Sequence, residues 1–262
     1  MKNVVITGST RGIGLAMARE FLEKGCCVTL SGRGGQLPEP VTQEFRNYSG
    51  RYLYVPCDVR IRNDHELLWN RSRERWGRVD IWVNNAGRNA PHSFVWETDE
   101  CFTADVVATN ITGMVFGSQV ASAGMLLQKH GAIYNMEGLG SNDMIQPKTV
   151  LYGTTKRALT YFTRGLAKEL KGTGVLACRL SPGMMLTDFI MKTPDGTAAA
   201  IETDERFRTI FNILGDRPET VAKYLVRRML ANRHNDVRIA WLTGSKAAVR
   251  FLCAPFRKGR LL

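Results

Sequence analysis

The chain contains no apolar run of the ~18 residues that a membrane-spanning helix needs, so no spanning segment is expected. It also lacks a charged leader with an apolar stretch and cleavage site, because the strand-like Val4-Val5-Ile6 begins almost at once. A cytoplasmic protein is the expectation. Its six cysteines, Cys26, Cys27, Cys57, Cys101, Cys178 and Cys253, show no C-x-x-C spacing and mostly sit in apolar runs. They read as small hydrophobes in a reducing compartment, and no metal is expected. Acidic residues are scarce at one end. From Lys223 to Leu262 there are ten Lys and Arg but one acid, Asp236, and this stretch carries most of the formal charge of +12. Repeats and low-complexity segments are absent too. What remains is 262 residues with 44% hydrophobic and 23% charged content, the balance of a globular chain with one sizeable core.

Short apolar runs alternate with longer stretches of helical period, which is the pattern of repeated βαβ units. Strands are predicted near 3–7, 27–31, 51–56, 79–84, 131–136, 174–180 and 238–243, and helices near 12–24, 62–76, 99–129, 152–171 and 218–231. The fold class is α/β, a single-domain Rossmann-like doubly wound parallel sheet of about seven strands spanning 1–245. Segment 184–217 shows no clear period, and its place after a strand end makes it the candidate substrate loop.

The first strand runs into Gly8-Ser9-Thr10-Arg11-Gly12-Ile13-Gly14 and then into an amphipathic helix. In that strand–turn–helix setting the glycines allow a tight turn and close approach of a pyrophosphate to free amides at a helix N-terminus. The second strand ends in Ser31-Gly32-Arg33, where an NAD-preferring site would carry an acid. Arg33, with Arg11, suits the 2′-phosphate of NADP(H) instead, since a guanidinium offers a fork of charge-assisted donors. Asp58, followed by Val59, is placed to accept from an adenine amino group. Asn84-Asn85-Ala86-Gly87 after the fourth strand agrees with a nucleotide crevice.

Tyr152 and Lys156 open a predicted helix four residues apart, hence on one face. A neighbouring ammonium would lower the phenol pKa from ~10 and fit Tyr152 for proton exchange with a carbonyl oxygen. Lys156 would also hold the nicotinamide ribose.

With these motifs the chain resembles the short-chain dehydrogenase/reductase superfamily, through Thr7 to Gly14, Asp58, Asn84 to Gly87, Asn110, Tyr152 to Lys156 and Ser181-Pro182-Gly183. The resemblance implies a helix-kinking Asn110 in a proton relay, Pro182, Gly183 and Thr187 around the nicotinamide and phosphates, and a homodimer or homotetramer. It also implies a serine at the end of the fifth strand, where this chain reads Tyr134-Asn135-Met136-Glu137-Gly138-Leu139-Gly140-Ser141. Either Ser141 or a protonated Glu137 would then polarise the carbonyl. Asn-Met-Glu-Gly, Tyr-Gly-Thr-Thr-Lys and Ser-Pro-Gly-Met-Met-Leu-Thr-Asp resemble the chlorophyll b reductase group in particular. That resemblance implies NADPH-dependent reduction of a formyl group on a bulky chlorophyll-type tetrapyrrole. The rival expectations are a reductase of simpler ketones and a non-catalytic NADP(H)-binding protein.

The tail 246–262 interleaves Lys246, Arg250, Arg257, Lys258 and Arg260 with Val249, Phe251, Leu252 and Phe256. Such a basic amphipathic segment fits peripheral membrane contact or docking on a subunit. Nucleic acid is not expected, since no recognition motif accompanies the charge.

Overall fold

The computed structural model describes residues 1–196 and 199–254. Seven strands, β1 (Asn3–Ile6), β2 (Cys27–Gly32), β3 (Tyr52–Pro56), β4 (Ile81–Asn84), β5 (Gly131–Met136), β6 (Val175–Ser181) and β7 (Arg238–Ala240), form one sheet in the order β3-β2-β1-β4-β5-β6-β7. Every pairing is parallel. The strand reading of the sequence holds, and β7 is shorter than expected. A parallel sheet is covered on both faces, so its central strands carry near-continuous apolar runs, and all four residues of β1 are buried.

Alternating side chains serve two cores. Val4 and Ile6 join Phe21, Leu30, Leu225 and Met229 beneath α1 (Gly12–Glu23) and α10 (Pro218–Ala231). Val5 points the other way, to Leu68, Trp69, Trp82 and Met125. That second layer is built by α3 (Arg62–Trp76), α5 (Gly113–Gln128) and α6 (Val150–Glu169), while the short α2 (Glu39–Glu44) lies beyond β2. Chain order reverses between β1 and β4, and in open α/β sheets the crevice at that point, above the strand C-termini, takes ligands.

Two stretches depart from expectation. The helix predicted over 99–129 is divided into α4 (Glu100–Val107), a π turn (Ala108–Thr112) and α5. Its apolar period is continuous across the break, so periodicity alone cannot reveal it. Segment 184–217 contains α7 (Asp188–Met191), α8 (Ala200–Thr203) and α9 (Glu205–Leu214), gathered on a small core of Ala199, Ile201 and Phe211.

The expected boundary at 245 falls inside a helix, α11 (Gly244–Cys253), capped by Thr243 Oγ1 accepting from the Lys246 amide at 3.2 Å. Within it, Arg250 is held to Asp216 at 2.7 Å and donates to the Leu214 carbonyl at 2.8 Å. Lys246 lies over the Trp241 ring. These two cations of the tail therefore serve the domain, whereas Val249 and Leu252 are exposed. Arg257, Lys258 and Arg260 lie outside the described residues. No helix among the described residues is long and apolar enough to cross a membrane.

Candidate active site

The β1–α1 turn is shaped by backbone approach. Gly8 has φ +61°, and a side-chain carbon on it would lie 2.8 Å from the Ala86 Cα. A carbon on Gly14 would press on the Gly8 carbonyl and on Ser9. Gly12, at φ +56°, has open space on its outer side up to the Thr187 methyl at 3.8 Å. Arg11 precedes α1 and no side chain caps that helix, so its first amides are free for an anion. A cradle of this form fits a pyrophosphate. Ser9, in contrast, is a brace, since its hydroxyl donates to the Ile6 carbonyl at 2.8 Å and accepts from the Ser31 amide at 2.9 Å. Asn85 stitches β4 to the turn through the Thr7 and Gly8 carbonyls, both at 2.9 Å. Thr10 packs beside Gly32, and Arg11 and Arg33 are exposed cations on the same rim.

Asp58 is not the free acceptor the sequence suggested. The Arg60 guanidinium engages both carboxylate oxygens at 2.5–3.1 Å and, as the main cause, holds the carboxyl below its usual range. An adenine amino group would share those lone pairs with Arg60. Val59 abuts Gly113 at the start of α5, and its carbonyl meets the His65 ring at 2.9 Å. Arg60 also reaches Asp105 at 2.7 Å, and Asp105 pairs with Arg88 at 2.8 Å.

Asn110 lies in the π turn, buried, with its side chain fully used. Its Oδ1 accepts from the Arg88 amide at 2.7 Å, and its Nδ2 donates to the Arg88 carbonyl at 2.9 Å and to Thr155 Oγ1 at 3.1 Å. The side chain thus clamps the segment following Gly87 to α6. Pro182 and Gly183 follow β6, Gly183 takes φ +76°, and a side-chain carbon on it would lie 2.8 Å from Leu242 Cβ.

Lys156 is buried and donates from Nζ to the Met136 carbonyl at 3.0 Å. Burial pushes its pKa down to about 8, and the charge of Glu137 opposes the fall. The Tyr152 ring packs against Phe189 at 5.6 Å. Its phenol is raised above the ordinary value by burial, the reverse of the lowering expected from the lysine. The reason is geometric: Nζ is directed at Met136 and stands 5.7 Å from the ring centre, so desolvation prevails. Tyr152 is consequently a protonated phenol, suited to donate.

Both candidates for the missing serine have other partners. Ser141 Oγ accepts from the Gly138 amide at 3.1 Å and gives its proton to the Lys156 carbonyl at 3.2 Å, bracing the turn to α6. Glu137 is buried, and its Oε2 accepts from Arg238 Nε at 2.6 Å. The residue that meets the Tyr152 hydroxyl is Gly138, where a side-chain carbon would collide with it.

Three participants escaped the sequence reading. Phe189 sits in the aperiodic loop, yet it covers Tyr152 and is pinned by Asn89 Nδ2 donating to its carbonyl at 3.1 Å. Thr155, given no role within the Tyr152 to Lys156 motif, and Arg88, next to Gly87, hold Asn110. Their place in or beside those motifs was their one signal.

A nucleotide crevice at the switch point of a parallel sheet, with a half-buried Tyr and a buried Lys on its wall, defines a dehydrogenase of the doubly wound α/β class. The chain belongs to the short chain dehydrogenase family, whose sequence profile matches residues 2–198. Among curated relatives it is 35% identical to "Chlorophyll(ide) b reductase NOL, chloroplastic" of Arabidopsis thaliana, over 94% of this chain and 71% of that protein. It is 33% identical to "Probable chlorophyll(ide) b reductase NYC1, chloroplastic" of Oryza sativa subsp. japonica, over 99% of this chain but 53% of that one, so the chain spans about half of that relative's length. Among solved structures, "ElxO with NADP Bound" superposes with a TM-score of 0.79 at 27% identity, over 94% of this chain and 99% of that one.

Proposed function

We propose that this oxidoreductase uses NADPH to reduce the formyl group of a chlorophyll b-type tetrapyrrole to a hydroxymethyl group. The observation that carries the reading is the Tyr152 phenol, kept protonated by burial and fronted by Gly138, with Lys156 one helical turn away. A glycine in front of the phenol leaves Tyr152 as the side-chain donor to the carbonyl, which suits an aldehyde, and relatives at about a third identity carry the chlorophyll(ide) b reductase name.

The residues fit the cofactor. Gly8, Gly12, Gly14 and the open amides of α1 would take the pyrophosphate, Arg11 and Arg33 the 2′-phosphate, and Asp58 the adenine side. Gly87, Pro182, Gly183 and Thr187 would line the nicotinamide end, with Lys156 on its ribose. When bound, NADPH supplies the hydride to the formyl carbon. Tyr152 then gives its proton to the oxygen, and Asn110 holds Lys156 and Gly87 in register from the π turn. Exposed Leu126, Leu127 and Tyr161 on α5 and α6 would meet a second copy. Val249, Phe251 and Leu252 of α11 supply the apolar face for peripheral membrane contact.

Incubation with chlorophyll b and NADPH, followed by chromatography, should yield the 7-hydroxymethyl product. Tyr152→Phe should cut turnover by about 10²–10⁴-fold while nucleotide binding persists. Activity on simple ketones with no such product would give the site to an ordinary carbonyl reductase. No turnover on either, with NADPH still bound, would make the chain a nucleotide-binding protein.

A further inference from the structure

The end of β5 holds a buried charge that the reaction above does not use. Glu137 continues that strand, its amide donating to the Leu180 carbonyl at 2.7 Å, and its side chain is 1% exposed. Arg238 on β7 binds Oε2 at 2.6 Å, and Arg179 on β6 stands 4.0 Å from Oε1. Among the described residues nothing hydrogen-bonds that second oxygen. A buried carboxylate with an idle oxygen is costly, and such groups cluster where a charge is needed for function. Its neighbour in the chain, Met136, is the residue whose carbonyl receives the Lys156 ammonium.

We infer that Glu137 is a positioning residue whose buried negative charge keeps the neighbouring Lys156 protonated while the Tyr152–Lys156 pair works. The inference rests on that pair being the proton-handling one. The other groups around Lys156 leave Glu137 as its counter-charge: Tyr152 on α6 is a neutral phenol, and Asn110 and Gly87 are uncharged. The Arg88 guanidinium is directed to Asp105. On the far side, Arg179 and Arg238 face Glu137. Burial alone depresses the lysine toward neutrality, and Glu137 is the charge that opposes it.

The test titrates the Lys156 side-chain resonance by heteronuclear NMR in the full chain, assigned with Lys156→Arg, beside the pH profile of kcat/KM for carbonyl reduction. In Glu137→Gln the titration midpoint should fall by about one pH unit or more, the size of effect a close charge exerts. The alkaline limb of the profile should move with it. Glu137→Asp, which retains the charge, should restore both. An unmoved midpoint in Glu137→Gln overturns the inference, whether or not the enzyme turns over. Should that variant fail to fold, the double variant Glu137→Gln with Arg238→Met, in which Arg238 is not left without its carboxylate, decides: its midpoint should lie below that of Arg238→Met alone, and no difference overturns the inference equally. A moved midpoint in a protein that never oxidises NADPH would sink the reading of the reaction and leave the counter-charge standing.

Discussion

The two walls of the crevice are held by different forces. On the β1–α1 side, Gly8 rests on Ala86, Gly14 on Gly8 and Ser9, and the polar side chains bond backbone carbonyls. Its cations, Arg11 and Arg33, are at the surface. On the β5–α6 side the charges are inside, with Lys156 against Met136 and Glu137 between two arginines. One wall is shaped to receive charge from a ligand, and the other stores charge of its own. Function on the first should respond to volume, and on the second to pH.

The largest effect should come from Lys156→Met. Reduction should be lost by two orders of magnitude or more, about the contribution of a positioned proton-transfer group. Stability should change in the opposite direction. Burial lowers the folded-state pKa of Lys156 to about 8, so the unfolded chain binds the extra proton between pH 8 and its ordinary value near 10.4. The native state is therefore penalised most below pH 8, where Lys156 is charged in both states, and the penalty fades as pH rises toward that ordinary value. Lys156→Met should raise Tm at pH 7 by an amount worth on the order of 1–3 kcal/mol, with a smaller gain at pH 10. A gain that grows with pH would show that the lysine is not buried as charge.

Gly14→Ala comes next and belongs to the other wall. The added carbon would press into the Gly8 carbonyl and the Asn85 amide, deforming the turn. Overpacking of this kind costs about 1–3 kcal/mol. NADPH affinity should drop with stability, and the loss should be flat from pH 6 to 9, unlike that of the lysine variant. Isothermal calorimetry across that range checks it.

The contrast also explains what could be read in the sequence. The sheet was legible because parallel strands need continuous apolar runs, and the glycine turn because backbone approach tolerates few residue types. Tyr152 and Lys156 were visible from helical spacing, but the direction of the phenol shift was not, since it depends on where Nζ points and how much solvent is excluded. The pairing of Glu137 was not legible, because its arginines lie 42 and 101 positions away in the chain. Asp58 looked free because Arg60, two positions on, is as easily pictured in solvent. The docking of Arg250 on Asp216 was hidden for the same reason: a basic amphipathic tail has one composition whether it faces a bilayer or its own domain.

That docking supplies a middle-sized effect. Asp216 receives Arg250 and the Trp241 indole at 2.7 Å each, and its backbone joins Met184 and Leu186 at the base of segment 184–217. Asp216→Asn should therefore leave NADPH affinity alone while raising KM for a bulky substrate several-fold and destabilising by about 1–3 kcal/mol, the cost of leaving a charged donor unpaired. Equal changes in KM for bulky and small aldehydes would show that the latch does not shape the pocket.

Arg33→Ala should have the smallest effect on the fold and is the sharpest test of the contrast. Arg33 is exposed, and its removal should leave Tm unchanged. If it pairs with the 2′-phosphate, the variant should bind NADPH about tenfold or more weakly, which is the worth of a charged hydrogen bond of about 1.5–3 kcal/mol. NADH affinity should not move. Salt adds a second criterion. At 1 M the screening length falls to about 3 Å, so the wild-type advantage on NADPH should shrink toward that of the variant. The Lys156 midpoint, set by a buried neighbour, should barely respond to the same salt. Equal salt sensitivity at the two positions would erase the distinction between a wall that receives charge and a wall that stores it.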